Sequence, residues 1–280
     1  FACVDAKVAG EDGKLLDLGS VAGADGAIVV GLGDRIDDAL DPFLIGAGTA
    51  DYLVARGAKV TICGRRLEKV EAVADRLGPA CLAVGADITD SDARERLVAL
   101  AVDHGGGLDA LVNNAGNMYR GALVTLSEAQ LVEVFHNNVI SAIMLSSLCV
   151  EQLAKRQGSI IFLGSIHNRR AFPGVSPYAA TKGAIESLTK SLAAELGPQG
   201  IRVNCVAPGA VFTEINQRAG WIDETQARAR LEEMGDIHAL GRIGEVSEIA
   251  QAITYLIQAS WTTGAILDVD GGLGLGITKQ

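Results

Sequence analysis

The 280-residue sequence predicts a doubly wound α/β domain, a parallel sheet with helices on both faces. Three observations point there. From about residue 46 onward, short β-branched or apolar runs alternate with stretches of helical periodicity, the rhythm of strands joined by crossover helices. The runs are almost continuously apolar, as in Ser159-Ile160-Ile161-Phe162-Leu163, which implies burial on both faces of the sheet. The composition agrees: 49% hydrophobic residues and 34 glycines against 4% aromatics suit a core of Val, Ile, Ala and Leu with glycine-rich turns.

In chain order, Gly26-Ala27-Ile28-Val29-Val30-Gly31-Leu32-Gly33-Asp34 reads as a first strand and turn. Residues 35–43 then carry Asp37, Asp38, Asp41 and Pro42, and no clear periodicity. Helical spacing follows over 46–56, 67–77, 91–103, 126–154, 178–196 and 246–258. Strands are expected over 58–63, 81–84, 108–112, 159–163, 201–206 and 265–269, bounded by Gly, Asn and Asp. Residues 1–25 are set aside as an N-terminal extension, and 26–280 are taken as one domain. In such a sheet ligands bind beyond the carboxyl ends of the strands, near the point where strand order reverses.

Charge and composition exclude several roles. With 24 Lys and Arg against 34 Asp and Glu, the formal net charge is −10, which disfavours nucleic acid and anionic membrane as partners. No apolar run of about 18 residues is present, so no membrane span is expected. Residues 1–7 lack the basic and apolar regions of a signal peptide, and the missing initiator Met points to a processed or truncated chain. Cys3, Cys63, Cys81, Cys149 and Cys205 are scattered among mostly apolar neighbours and form no C-x-x-C pair, which argues against a disulfide framework. A reduced, cytoplasmic protein is expected. His104, His136, His167 and His238 share no ligand spacing, so no metal site is expected.

The chemistry centres on Tyr178-Ala179-Ala180-Thr181-Lys182. On a helix, residues four apart share a face, which sets the phenol beside the ammonium. A neighbouring cation favours phenolate and is expected to lower the tyrosine pKa, giving a general acid/base suited to an alcohol or carbonyl oxygen. Ser165 follows the strand at 159–163 and supplies a hydroxyl for the same oxygen. Asn113-Asn114-Ala115-Gly116 and Val206-Ala207-Pro208-Gly209 end two other strands, and all three ends would open on one sheet edge.

Together these residues resemble the classical short-chain dehydrogenase/reductases over about 44–272. The matching motifs are N-N-A-G at 113–116, Asn138, Ser165, Tyr178 with Lys182, Pro208-Gly209, and the tail Thr263-Gly264-Ala265-Ile266-Leu267-Asp268-Val269-Asp270-Gly271-Gly272. The resemblance implies a single-domain Rossmann-type fold and hydride transfer between a nicotinamide dinucleotide and a carbonyl or secondary alcohol. It implies Tyr178 as proton donor or acceptor and Ser165 as the group that orients the carbonyl and stabilises oxyanion charge. It gives Lys182 the tuning of Tyr178 and the nicotinamide ribose, and Asn138 a water that relays protons to Lys182. Cofactor contacts would come from Ile45, Gly46, Arg65, Arg66, Asp87, Ile88, Asn114, Ala115, Gly116, Tyr178, Lys182, Pro208, Gly209, Val211 and Thr213. Gly64 stands where relatives preferring NAD(H) carry an acid, and Arg65 and Arg66 follow it, so NADP(H) is expected over NAD(H). The alternative for the arginine pair is an exposed basic helix start; for Asp87 it is a helix N-cap.

One motif departs from the pattern. The glycine-rich first turn, at 31–46, aligns as Ala39-Leu40-Asp41-Pro42-Phe43-Leu44-Ile45-Gly46 and keeps only its last glycine. A turn displaced to Gly31-Leu32-Gly33 with an insertion, a shifted reading of the gene before residue 44, and loss of dinucleotide binding all account for it. The last would make the chain a non-catalytic Rossmann-like scaffold, the alternative function. Residues 167–170 are either a wall of the substrate cleft or a solvated loop. Met118, Tyr119, Phe172 and Phe212 are either pocket lining or packing. The stretch 213–240 resembles a substrate lid, with Trp221 as a contact. The resemblance also implies that the long helices pair between subunits, giving a homo-dimer or tetramer.

Overall fold

A computed structural model of the chain describes residues 26–32, 45–211 and 234–276. Seven parallel strands are described: β1 (Ala27–Gly31), β2 (Lys59–Gly64), β3 (Cys81–Gly85), β4 (Leu108–Asn113), β5 (Ser159–Leu163), β6 (Arg202–Pro208) and β7 (Ile266–Val269). Their order in the sheet is β3-β2-β1-β4-β5-β6-β7. The chain winds outward from β1 to β3, then returns to lay β4 against the other side of β1. That reversal creates the crevice in which ligands bind in such sheets.

The helices are α1 (Ile45–Val54), α2 (Leu67–Leu77), α3 (Ser91–Gly105), α4 (Glu128–Phe135), α5 (Ser141–Arg156), α6 (Ser176–Leu196) and α7 (Val246–Gln258). The strands are apolar on both faces because both are covered. In β1, Ile28 and Val30 enter a core with Ala50 and Leu53 of α1, Val70 and Val73 of α2, and Ile249 and Ile253 of α7. Val29 points the other way, into a core with Leu97 of α3, Leu145 and Cys149 of α5, and Ile185 of α6. Each fully buried Val, Leu or Ile contributes about 1.5–3 kcal/mol of transfer free energy, so both faces hold their helices firmly. Cys63, Cys81, Cys149 and Cys205 are all buried and outside any disulfide, as small hydrophobes in the core.

The first strand takes its place at the centre of the sheet, between β2 and β4. Gly31 ends β1 and Leu32 follows it. Residues 33–44, the rest of the expected first turn, and the extension at 1–25 lie outside the described residues.

The helix expected over 126–154 differs from the reading. α4 runs into one π turn, His136–Ile140, before α5 continues to Arg156. A π turn carries one extra residue and swings its side chains out of helical register, a device common at functional sites. Ser127 opens α4 with a capping box to Gln130. By length and composition the whole rod, Glu128–Arg156, is apolar enough to cross a membrane, which the count of apolar residues had not indicated. Here α5 packs on β4 and α3, with Leu145, Cys149 and Leu153 in the core.

Candidate active site

Ser165 and Tyr178 are brought together at the carboxyl end of β5. Ser165 follows β5 and is 6% exposed; Tyr178 lies in the first turn of α6, entered through Pro177, and is equally enclosed. The Ser165 hydroxyl lies close enough to the Tyr178 phenol to favour its ionised form. Lys182, one turn further on α6, holds its Nζ 5.5 Å from the centre of the Tyr178 ring and donates to the Leu163 carbonyl at 2.7 Å. That carbonyl is at the end of β5, so the lysine ties α6 to the strand that carries Ser165.

The electrostatics depart from the expectation. Burial pushes the Tyr178 phenol up to about 12, and the Ser165 hydrogen bond only partly opposes it. Burial also pulls Lys182 down to about 8, against a smaller opposing influence from Cys205. Desolvation disfavours the charged form of each group. At Tyr178 desolvation prevails, so the phenol here is held protonated rather than shifted toward phenolate.

Asn138 sits in the π turn and clamps the strand-end loop. Its Nδ2 donates to the Asn117 carbonyl at 2.8 Å and to Thr181 Oγ1 at 3.1 Å, and its Oδ1 accepts from the Asn117 N–H at 2.8 Å. Thr181 in turn donates to the Tyr178 carbonyl at 2.7 Å. Asn138 thus connects the loop after β4 with the tyrosine's own helix through Thr181, and the described contacts reach Lys182 only by way of that neighbour. Asn117 and Thr181 were not singled out in the sequence; their positions beside N-N-A-G and inside Y-x-x-x-K were the available signal.

At the switch point, Asn114 Nδ2 donates to the Gly31 carbonyl at 2.7 Å and joins the ends of β4 and β1. Gly46, in the first turn of α1, packs against the same junction. A Cβ there would stand 2.7 Å from Asn114 Nδ2, 2.9 Å from Leu32 Cδ2 and 3.0 Å from the Gly31 oxygen. A Cβ on Gly31 would meet that of Ala115 at 3.1 Å, and one on Gly116 would meet Asn138 Oδ1 at 2.9 Å. Ile45 begins α1 beside them. The crevice is thus walled by backbone and small residues, permitting a flat ligand's close approach.

Arg65 and Arg66 lie between β2 and α2, Arg66 being the residue before the helix. Across the strand ends, burial raises the Asp87 carboxyl, but hydrogen bonds from Thr89 and the Arg65 and His136 charges more than offset it, and its pKa is lowered. The expected alternative for Asp87 is corrected: Asp90 caps α3, its Oδ1 accepting from the Ala93 N–H at 2.8 Å. Asp87 instead closes a tight turn with Thr89 N and Oγ1 at 2.9 and 2.7 Å. Ile88 turns into the core, and its carbonyl accepts from Arg94. On the far side, Gly209 after Pro208 donates to the Val269 carbonyl at 3.0 Å, and Val211 is buried against Gly244. Thr213, Phe212 and Trp221 lie outside the described residues, as does most of the expected lid.

The segment after Ser165 is not a solvated loop. Arg169 pairs with Glu186 on α6 and with Asp268 on β7, and Arg170 donates to the Leu273 carbonyl at 3.0 Å. His167 packs its ring on Phe172, with centroids 4.6 Å apart, and edge-on to Tyr178 at 5.4 Å. Phe172 thereby serves as packing for the site wall. Across the cleft, Gly121 donates to the Gly174 carbonyl at 2.9 Å, lacing this loop to the one after β4 that carries Met118 and Tyr119.

Comparison with known proteins agrees with this architecture. Residues 44–274 match a family model described as enoyl-(acyl carrier protein) reductase. The pig protein "Dehydrogenase/reductase SDR family member 4" is 34% identical over 235 residues, 81% of this chain and 82% of its own. The 3-oxoacyl-[acyl-carrier-protein] reductase FabG of Vibrio cholerae is 32% identical over 232 residues, 82% of this chain and 92% of that one. A solved short-chain dehydrogenase/reductase mutant from Serratia marcescens superposes with a TM-score of 0.76 at 34% identity, covering 89% of this chain and 98% of that one. The 3-ketoacyl-(acyl-carrier-protein) reductase of Brucella melitensis, solved with NADH, gives a TM-score of 0.77 at 28% identity with the same coverages. With its parallel sheet, its Ser165–Tyr178–Lys182 cluster and these relatives, the chain belongs to the short-chain dehydrogenase/reductase family of oxidoreductases.

Proposed function

We propose that this protein is an NADP(H)-dependent reductase of a small-molecule carbonyl, running also as the reverse alcohol dehydrogenase. The observation that carries the reading is the neighbouring, enclosed Ser165 and Tyr178 hydroxyls at the carboxyl end of β5, with Lys182 one helical turn away. Two hydroxyls converging on one oxygen suit a carbonyl, which needs both polarisation and a proton.

The crevice fits a dinucleotide. Gly46, Gly31 and Gly116 each leave a space that a Cβ would fill against Asn114, Ala115 and Asn138. In this reading Gly46, Asn114, Ala115 and Gly116 hold the cofactor's middle, Lys182 its nicotinamide ribose, and Pro208 and Gly209 border the nicotinamide. Arg65 and Arg66 hold a 2′-phosphate, and no acid stands at the end of β2 to compete for a ribose hydroxyl. When bound, the nicotinamide supplies or accepts the hydride.

The protein's own residues carry the proton. Tyr178, held protonated by burial, donates its Oη proton to the oxygen that gains charge as the carbonyl is reduced. Ser165 donates a hydrogen bond to the same oxygen and holds it against the tyrosine. Lys182 then stabilises the tyrosinate left behind, and Asn138 keeps the loop after β4 fixed against α6. The names of the relatives, carbonyl and 3-oxoacyl reductases among them, support a carbonyl substrate.

Pairing between copies is supported by the exposed apolar side chains Val132, Ile140, Met144 and Leu148 along α4 and α5. The four buried cysteines outside any disulfide support a reducing, cytoplasmic setting. The cofactor reading is tested by titrating Arg65→Ala with NADPH and NADH, following nucleotide fluorescence. A charge-assisted contact is worth about 1.5–3 kcal/mol, so NADPH binding should weaken roughly 10- to 100-fold with NADH little changed. Equal effects on both nucleotides would remove the phosphate assignment.

A further inference from the structure

We propose that His167 is a positioning residue: its Nδ1–H donates to Ser165 Oγ, so that the serine's own proton is left for the reacting oxygen. This rests on the carbonyl-reductase reading for its consequence, though not for its geometry. A serine hydroxyl has one proton to give and two lone pairs to receive with. Ser165 Oγ has three neighbours: the His167 backbone N–H at 3.3 Å, His167 Nδ1 at 3.0 Å, and the Tyr178 hydroxyl.

Two arrangements satisfy these contacts. If Nδ1 accepts, the serine proton points at the imidazole and is turned away from the reacting oxygen. If Nδ1–H donates, it fills one lone pair while the backbone N–H fills the other. The hydroxyl is then a donor only, and Tyr178 keeps its proton for transfer. Only the second arrangement leaves both hydroxyls able to face a carbonyl oxygen.

The surroundings favour a fixed, neutral imidazole. Phe172 packs on the ring and Tyr178 meets it edge-on, which locks its orientation. The charged groups facing it are Arg120, from the loop after β4, and Lys182, from α6. Burial first, then these two cations, push its pKa down to about 4, so it carries a single proton across the working pH range. A donor in this place also strengthens the serine's own hydrogen bond through cooperative polarisation.

Two measurements on the full chain test the inference. The tautomer is read directly by long-range ¹H–¹⁵N correlation on histidine-labelled protein, with His167→Asn identifying the signal. The expected result is a proton on Nδ1; a proton on Nε2 overturns the proposal. This readout stands whatever the enzyme's reaction proves to be. The second is a double-mutant cycle with NADPH and ethyl acetoacetate as carbonyl probe. His167→Phe, which keeps the ring packing, should lower kcat roughly 10-fold with the NADPH KM unchanged within about twofold. His167→Asn, which offers an amide N–H in place of Nδ1–H, should recover most of that loss. In a Ser165→Ala background, His167→Phe should cost nothing further. An undiminished His167→Phe, equal losses in the Phe and Asn variants, or full additivity with Ser165→Ala would each overturn the positioning role. Wild-type turnover by Tyr178→Phe would instead sink the carbonyl-reductase reading and leave the tautomer result intact.

Discussion

Gly46→Ala is the sharpest structural test of the crevice, because the added methyl meets three atoms with different freedom to move. The Leu32 methyl, 2.9 Å away, rotates aside cheaply. Asn114 Nδ2, at 2.7 Å, can retreat only by giving up its bond to the Gly31 carbonyl, a loss of about 1 kcal/mol. The Gly31 oxygen, at 3.0 Å, belongs to the central strand and yields only with the backbone. Overpacking of this kind costs typically 1–3 kcal/mol, and the gain of helix propensity returns at most about 1 kcal/mol. The net expectation is a destabilisation of roughly 1–3 kcal/mol, or a fall in Tm of about 2–12 °C for a domain of this size. The control is Gly183→Ala: it lies inside α6, where alanine is the better helix former, and a Cβ there meets only Asn168 Cβ, at 4.0 Å. That variant should hold or slightly raise Tm. Differential scanning calorimetry of both, with an NADPH titration, decides the matter. A Gly46→Ala protein as stable as the Gly183→Ala control, with nucleotide binding intact, would refute a close-packed crevice.

Two further outcomes follow from the same structure. His167 is depressed from 6.5 to about 4, so between these values the unfolded chain binds a proton that the folded protein refuses. Stability should therefore be unaffected by this group above pH 6.5, fall as pH drops toward 4, and lose on the order of 3 kcal/mol by then. In urea titrations His167→Asn should flatten that part of the acid limb; an unchanged limb would contradict the burial of a neutral imidazole. Leu148→Glu, on the exposed face of α5, should shift sedimentation toward a smaller species, and an unchanged sedimentation coefficient would remove that face from any subunit interface.

The fold was legible because strand runs such as 159–163 and 108–112 are almost continuously apolar, broken only by Ser159 and Asp109, without the alternation of an amphipathic surface strand. The site was legible where chemistry imposes residue type at short range: Tyr178 and Lys182 share a helix face, and Ser165 ends a strand. What escaped depends on contacts between residues distant in sequence. The π turn at His136–Ile140 exists because Asn138 reaches Asn117, 21 residues away, and Thr181, 43 away, which no local periodicity records. Arg169 reads as a solvated charge until Asp268, 99 residues on, is folded against it. Asp87 and Asp90 are alike as N-cap candidates, and the backbone alone decides that Asp90 caps α3. The expected lowering of the Tyr178 pKa failed for a related reason: the spacing to Lys182 is local, whereas the burial that raises the phenol comes from the whole fold.

As the proposed proton donor in hydride transfer, Tyr178 should be indispensable to the chemical step and dispensable for nucleotide binding. Single-turnover reduction of ethyl acetoacetate by Tyr178→Phe, at saturating NADPH and with nucleotide affinity measured in the same sample, separates chemistry from binding. NADPH affinity should stay within about threefold of the parent, and the hydride-transfer rate should fall by at least the 10²–10⁴-fold that a general acid contributes. A rate within tenfold of the parent, with NADPH still bound, would contradict that role.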